Sequence, residues 1–281
     1  FNMKHSLIYL IVLFSQIIFS QQIIKGIIVD KSTQLPIPFV SVGILGKPFG
    51  TVCNDEGFFE FTVNNIQKND SIKFSSIGYQ TQAILVFDYF KLANKKIILF
   101  QSATQLDEIV VNSKKIKYKT LGTTKYTTIN CTGFSDVGGN WKGSEAAILI
   151  KNTKNILIES FGFYVIQNKY KDSLLFRLMF YEKIKNDWVG STFLKKPIIF
   201  KLGIKQGEFI LPLKDYNIKT NNDFFISLEC LMDEMDITKF CYSSSISTSS
   251  YYKVKAFSKW HNTGGTRSGG GGADFNVKVS Y

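Results

Sequence analysis

The sequence predicts an all-β protein made of two consecutive β-sandwiches, the second of jelly-roll type. Three observations predict it. Short apolar runs recur along the chain with turn-forming residues between them. Phe (25) and Tyr (13) are abundant, and aromatic side chains fit the pleated surface of a strand well. Polar and apolar residues alternate at a period of two rather than the roughly 3.6 of a helix. Leu175, Arg177, Met179 and Tyr181 stand on one face of such a run, and Phe176, Leu178, Phe180 and Glu182 on the other. A chain of 281 residues is long enough for two ordinary domains.

The chain starts on an export-like segment. From Met3 it reads "MKHSLIYLIVLFSQIIFSQQ", with one lysine, an apolar run from Leu7 to Phe19, and small Ser20 before Gln21. That is the order of regions in a secretory signal peptide. Residues 1–20 are therefore expected to be a signal removed near Ser20, and the run is short for a membrane span. No later segment is long and apolar enough to cross a membrane as a helix, so no span is expected after cleavage.

Residues 21–112 then read as strand after strand: "IIKGIIVD", "FVSVGIL", "GTVC", "FFEFTV", "SIKFSS", "QAILVF" and "KKIILF". That amounts to a sandwich of roughly seven strands, with no convincing helix. Between the third and fourth runs stand Asn54, Asp55, Glu56 and Gly57. A calcium loop of EF-hand type with Gly57 at its sixth position would place Val52 and Val63 at the outer ligand positions, and neither can ligate. The stretch is expected to be a tight hairpin connection, with Gly57 in a conformation other residues resist.

These residues carry a resemblance. "KGIIVDKSTQLPIPFVSVGILGKPFGTVCNDEGFFEFTV", then "DSIKFSSIGYQTQ" and "LDEIVV", resemble the carboxypeptidase-regulatory-like domain, a transthyretin-like β-sandwich of Gram-negative envelope proteins. The matching positions include Gly26, Asp30, Thr33, Pro36, Pro38, Gly50, Thr51, Gly57, Phe59, Ser75, Gly78 and Tyr79, with Cys53 and Asn54 as departures. The resemblance implies a non-catalytic module, located in the periplasm or at the outer membrane or cell surface. It also implies a role for Leu106, Asp107, Glu108, Ile109, Val110 and Val111, which resemble a TonB-box segment. Such a strand binds by adding itself to a partner's sheet edge; otherwise it is the module's last strand or a linker. The tripeptides at Asp70–Ile72 and Asp172–Leu174 resemble a short O-glycosylation signal of such envelopes.

A polar linker is expected at 113–120, followed by the jelly-roll-like sandwich at 121–281. Its strand-like runs are "AAILIK", "NILIESFGFYVI", "SLLFRLMFYEKI", "KPIIFKL", "GEFILPL", "FFISLECLM", "YYKVKAF" and "FNVKVSY". The last reads as a core strand, so no appended sorting domain is expected.

The candidate chemistry is sparse. Net charge is +12, but only Arg177 and Arg267 are arginines, and dispersed lysines do not make a nucleic-acid reader. No metal or other cofactor is expected, because the mature chain keeps only His261 and has no CxxC. Cys230 and Cys241 are the expected disulfide if one forms. Glu145, Glu159, Glu182, Glu208 and Glu229 lie in or beside strands. A glycan hydrolase would need two of them facing one cleft, whereas outward-facing positions are the ordinary reading. Asp233, Glu234 and Asp236 read as a solvated loop. Trp141, Trp260, His261 and Arg267 flank glycine-rich loops, and an aromatic ring there can stack on a sugar. The expected function is binding or scaffolding, with an envelope protein or a cell-surface glycan as partner.

Overall fold

The computed structural model describes residues 21–102, 116–134, 141–233, 235–246, 248–263 and 272–281. The expected signal at 1–20, the expected partner strand at 106–111, Glu234 and Arg267 lie outside the described residues. Among those described, no helix is long and apolar enough to cross a membrane.

The first unit holds β1 (Gln22–Asp30), β2 (Ser41–Ile44), β3 (Gly50–Val52), β4 (Phe58–Val63), β5 (Ser71–Ser75), β6 (Gln82–Leu85), helix α1 (Val86–Lys91) and β7 (Lys96–Leu99). Its seven strands form two facing sheets, β4-β1-β7 and β3-β2-β5-β6. The alternation seen in the sequence becomes the core: Ile24, Ile28, Val40, Val42, Phe59, Ile72 and Phe74 meet between the sheets.

Two expectations change. Asn54–Gly57 does not close a hairpin, because β3 and β4 belong to different sheets and the turn carries the chain from one layer to the other. The Asn54 side-chain oxygen accepts from the Glu56 and Phe58 amides at 3.1 and 2.8 Å, while Gly57 has a φ of +74°. The run "QAILVF" is strand only as far as Leu85; Val86 opens the short helix α1. Tertiary contacts hold this helix in place. Val86 and Tyr89 are buried, and the Tyr89 hydroxyl donates to the Lys25 carbonyl and accepts from the Lys25 amide.

The second unit holds β8 (Tyr118–Gly122), β9 (Cys131–Thr132), β10 (Glu145–Ile150), β11 (Ile156–Asn168), β12 (Leu174–Ile184), β13 (Trp188–Thr192), β14 (Ile198–Leu202), β15 (Gly207–Pro212), β16 (Lys219–Thr220), β17 (Phe224–Cys230), β18 (Phe240–Ser245), β19 (Ser250–Lys253), β20 (His261–Asn262), β21 (Gly272–Ala273) and β22 (Phe275–Ser280). The expected linker at 113–120 thus runs into β8, whose Tyr118, Lys119 and Thr120 already pair with β22. One sheet carries the order β8-β22-β11-β15 and the other β10-β17-β12-β14. Taken along the chain, these strands alternate between sheets except at β12 and β14, and the first lies beside the last. That is the winding of a jelly roll. Phe161, Phe163, Phe176, Phe224, Phe240 and Phe275 fill the space between its sheets.

All four cysteines are free thiols. The expected Cys230–Cys241 disulfide does not form, because the two face different spaces. Cys230 points into the jelly-roll core, whereas Cys241 lies between the inward Phe240 and Tyr242 and so faces the outside of the other sheet.

Candidate functional site

The jelly-roll sheet β19-β10-β17-β12 is buried on both faces. Its inner face meets the core. Its outer face carries Ala147, Met179, Tyr181, Phe225 and Tyr251, with Ile77 of the first sandwich packed against them. Strand register sets four charges in a row across that face. Lys253 stands opposite Glu145, Glu145 opposite Glu229, and Glu229 opposite Arg177.

Two like charges directly opposite one another destabilise a sheet unless each is neutralised. Here each is. The Lys253 ammonium pairs with Glu145 Oε1, while Tyr181 and Ser227 hydroxyls each donate to Glu145 Oε2 at 2.8 Å. Arg177 Nε donates to Glu229 Oε2 at 2.5 Å. The remaining arms of Arg177 cross to the first sandwich, donating to the Phe39 carbonyl at 2.7 Å and the Ser41 hydroxyl at 2.6 Å. Phe39 presents that carbonyl from a left-handed backbone, φ +55°, a conformation a bulky residue adopts only when its surroundings impose it.

Burial governs the electrostatics. Glu229 is 1% exposed and Glu145 3%. Desolvation pushes the Glu229 carboxyl up, and the neighbouring Glu145 adds to it against the opposing pull of Arg177. Burial also raises the Tyr181 hydroxyl strongly, keeping it a neutral donor to Glu145. For Arg177 burial acts downward, but Glu229 outweighs it, so the guanidinium stays charged. The site holds two adjacent carboxylates, yet both oxygens of Glu145 and Oε2 of Glu229 are engaged, and Arg177 reaches into the first sandwich. Chemically it is a latch between domains.

The structure separates the residues singled out in the sequence. Trp141 packs against the jelly-roll core, whereas Trp260 packs on the opposite face of the same sheet, edge-on to Tyr181 at 5.8 Å. The two tryptophans therefore do not share a site. Trp260 is half-buried, with the Lys253 ammonium 5.0 Å from its ring centre. His261 is exposed and stacks on Tyr252 at 5.3 Å and 24°. Tyr252 carried no signal in the sequence beyond its place in a strand. It lines, with Thr132, Ser250 and Thr263, a cavity of about 340 Å³ at the end of the sandwich. Asp233 pairs with Lys142, and the Asp236 carboxylate accepts from Thr238, so each has a local partner. Among the described residues no cluster of His, Cys, Asp and Glu has the arrangement of a metal site.

Fold and site define a two-domain all-β protein whose first sandwich is fastened to the outside of a jelly roll. Residues 24–111 match the family model of the CarboxypepD_reg-like domain, a regulatory-like rather than catalytic description. No curated protein matches the chain. Two solved structures share 10% identity with it: "Structure of infectious bursal disease virus Gx strain", at a TM-score of 0.26, and "Crystal structure of infectious bursal disease virus VP2 subviral particle", at 0.25. The matches cover 91% and 93% of this chain but only 59% and 64% of those, too distant a likeness to bear on function.

Proposed function

We propose that the protein is an exported, non-catalytic binding or scaffolding component of the cell envelope. The observation that carries this reading is the latch. The cross-strand carboxylates that a glycan hydrolase would need open to substrate are buried and paired instead: Lys253, Tyr181 and Ser227 hold Glu145, and Glu229 holds the Arg177 that binds the first sandwich. A module fixed in one orientation presents a constant surface to a partner, and the sequence at 106–111 resembles a segment that binds by sheet-edge addition. The export-like segment at 1–20 supports the location.

A second reading, carbohydrate recognition, is favoured by the stack of half-buried Tyr252 on exposed His261 beside a hydroxyl-lined cavity. Aromatic faces with convergent polar groups suit a sugar ring.

The test uses purified residues 21–281 on native cell envelope, read by mass spectrometry beside a glycan array. Specific retention of an envelope protein, lost on deleting 106–111, supports the scaffold. Glycan binding without a protein partner, lost in Tyr252→Ala, moves the function to the jelly roll. Turnover of any bound glycan overturns the non-catalytic reading.

A further inference from the structure

We propose that Cys131 and Cys241 form a disulfide when the protein meets a thiol-oxidising environment, pinning β9 to β18. The register sets this up. β9 pairs antiparallel with β18, with Cys131 opposite Ser243 and Thr132 opposite Tyr242. Cys131 and Cys241 therefore stand on a cross-strand diagonal and on the same face, since 241 and 243 point the same way. The two thiols are neighbours on that face. Burial first, and then the adjoining Cys131 thiol, push the Cys241 thiol up to about 12.

The other two cysteines are placed to stay reduced. Cys53 is sealed in the first core, where its sulfur accepts from the Val40 amide at 3.0 Å and lies 3.2 Å from the Ile37 carbonyl. Cys230 faces the jelly-roll core beside Met235.

Exposure orders the chemistry. Cys131 is exposed and Cys241 buried. The Cys131 thiolate attacks a small disulfide such as oxidised glutathione, forming a mixed disulfide and releasing one thiol. Cys241, having lost its proton, then attacks the Cys131 sulfur and expels the second thiol. The protein loses two electrons and two protons, and the oxidant becomes two thiols. The new bond ties down a strand of only two residues whose Thr132 borders the cavity beside Tyr252. Supply of oxidant in the cell rests on the export reading, but the bond itself does not.

The test is equilibration of residues 21–281 with oxidised and reduced glutathione, followed by acid quench, thiol counting in denaturant, and peptide mapping without reduction. The expected result is two free thiols instead of four, with a single linked peptide pair, Cys131 to Cys241. Cys131→Ser abolishes the link, and Cys230→Ser leaves it intact. The oxidised wild type should melt at a higher temperature than the reduced form, a comparison that needs no variant. Four free thiols across the glutathione series, or a link through Cys53 or Cys230, overturns the proposal.

Discussion

Arg177 is the residue on which the two sandwiches meet. It satisfies a buried carboxylate on its own sheet and two oxygens of the other domain. Replacing it with Met leaves Glu229 buried without its partner, which costs about 3–5 kcal/mol. Chemical denaturation should register that loss, and Arg177→Met combined with Glu229→Gln should recover a large part of it. A second single-residue prediction concerns acid. Asp30 accepts from the Ser32 hydroxyl at 2.5 Å, the Thr33 amide at 2.9 Å and the Gln101 side chain at 2.7 Å. In that order these bonds hold its carboxyl far below the usual carboxylate range, with burial opposing them. The folded value lies below the unfolded one of about 3.9. Its stabilisation is therefore complete above that pH and lost as the pH falls toward the folded value. Urea midpoints measured down a pH series should drop below about pH 4, and Asp30→Asn should show a shallower drop from a lower starting point.

At the scale of elements, the turn between β3 and β4 and the helix α1 are both held by contacts outside themselves. A Cβ at Gly57 would stand 2.7 Å from the Ile28 carbonyl, on a backbone with positive φ. Gly57→Ala should destabilise by more than about 1 kcal/mol, read from the denaturation midpoint, with the first sandwich losing amide protection first. Helix α1 is too short to persist by propensity. Tyr89→Phe removes the hydroxyl that anchors it to Lys25 and should cost about 1 kcal/mol by leaving the partly buried Lys25 amide and carbonyl without that partner. Hydrogen exchange should rise in α1 and the middle of β1. The turn was legible in the sequence because asparagine and glycine declare a tight local bend. Its role as a corner between two sheets was not, since that depends on what β3 and β4 pair with. The helix was missed because a six-residue stretch beside a strand is too short to show a period of its own.

At the scale of the molecule, the two sandwiches should unfold together. Their contact includes backbone as well as charge: the Gly46 amide donates to the Phe257 carbonyl at 3.0 Å, and Lys73 lies over the Phe257 ring at 4.9 Å. A Cβ at Gly43 would collide with the Ala256 carbonyl across the interface, and one at Gly50 would approach it to 2.9 Å. Gly43→Val should therefore push the domains apart. In calorimetry the wild type should show one transition and the variant two, the earlier belonging to the domain that loses more buried surface. A single unshifted transition in the variant would mean that the interface is not structural.

Strand content, the turn at Asn54–Gly57, and the alternation of faces along β12 followed from the sequence itself. Each rests on a local rule: alternation has a period of two, and side chains of one parity need an apolar side to face. The same rule set Arg177 on one face of its strand and gave Glu145 and Glu229 outward positions, and there fell silent. Whether an outward face meets water or another domain depends on contacts as distant as Arg177 to Phe39, 138 residues apart. No local period encodes such a separation. The cysteines divide in the same way. Their number was plain in the sequence, but only the pairing of β9 with β18 brought Cys131 to Cys241, because cross-strand register is a property of two distant segments at once.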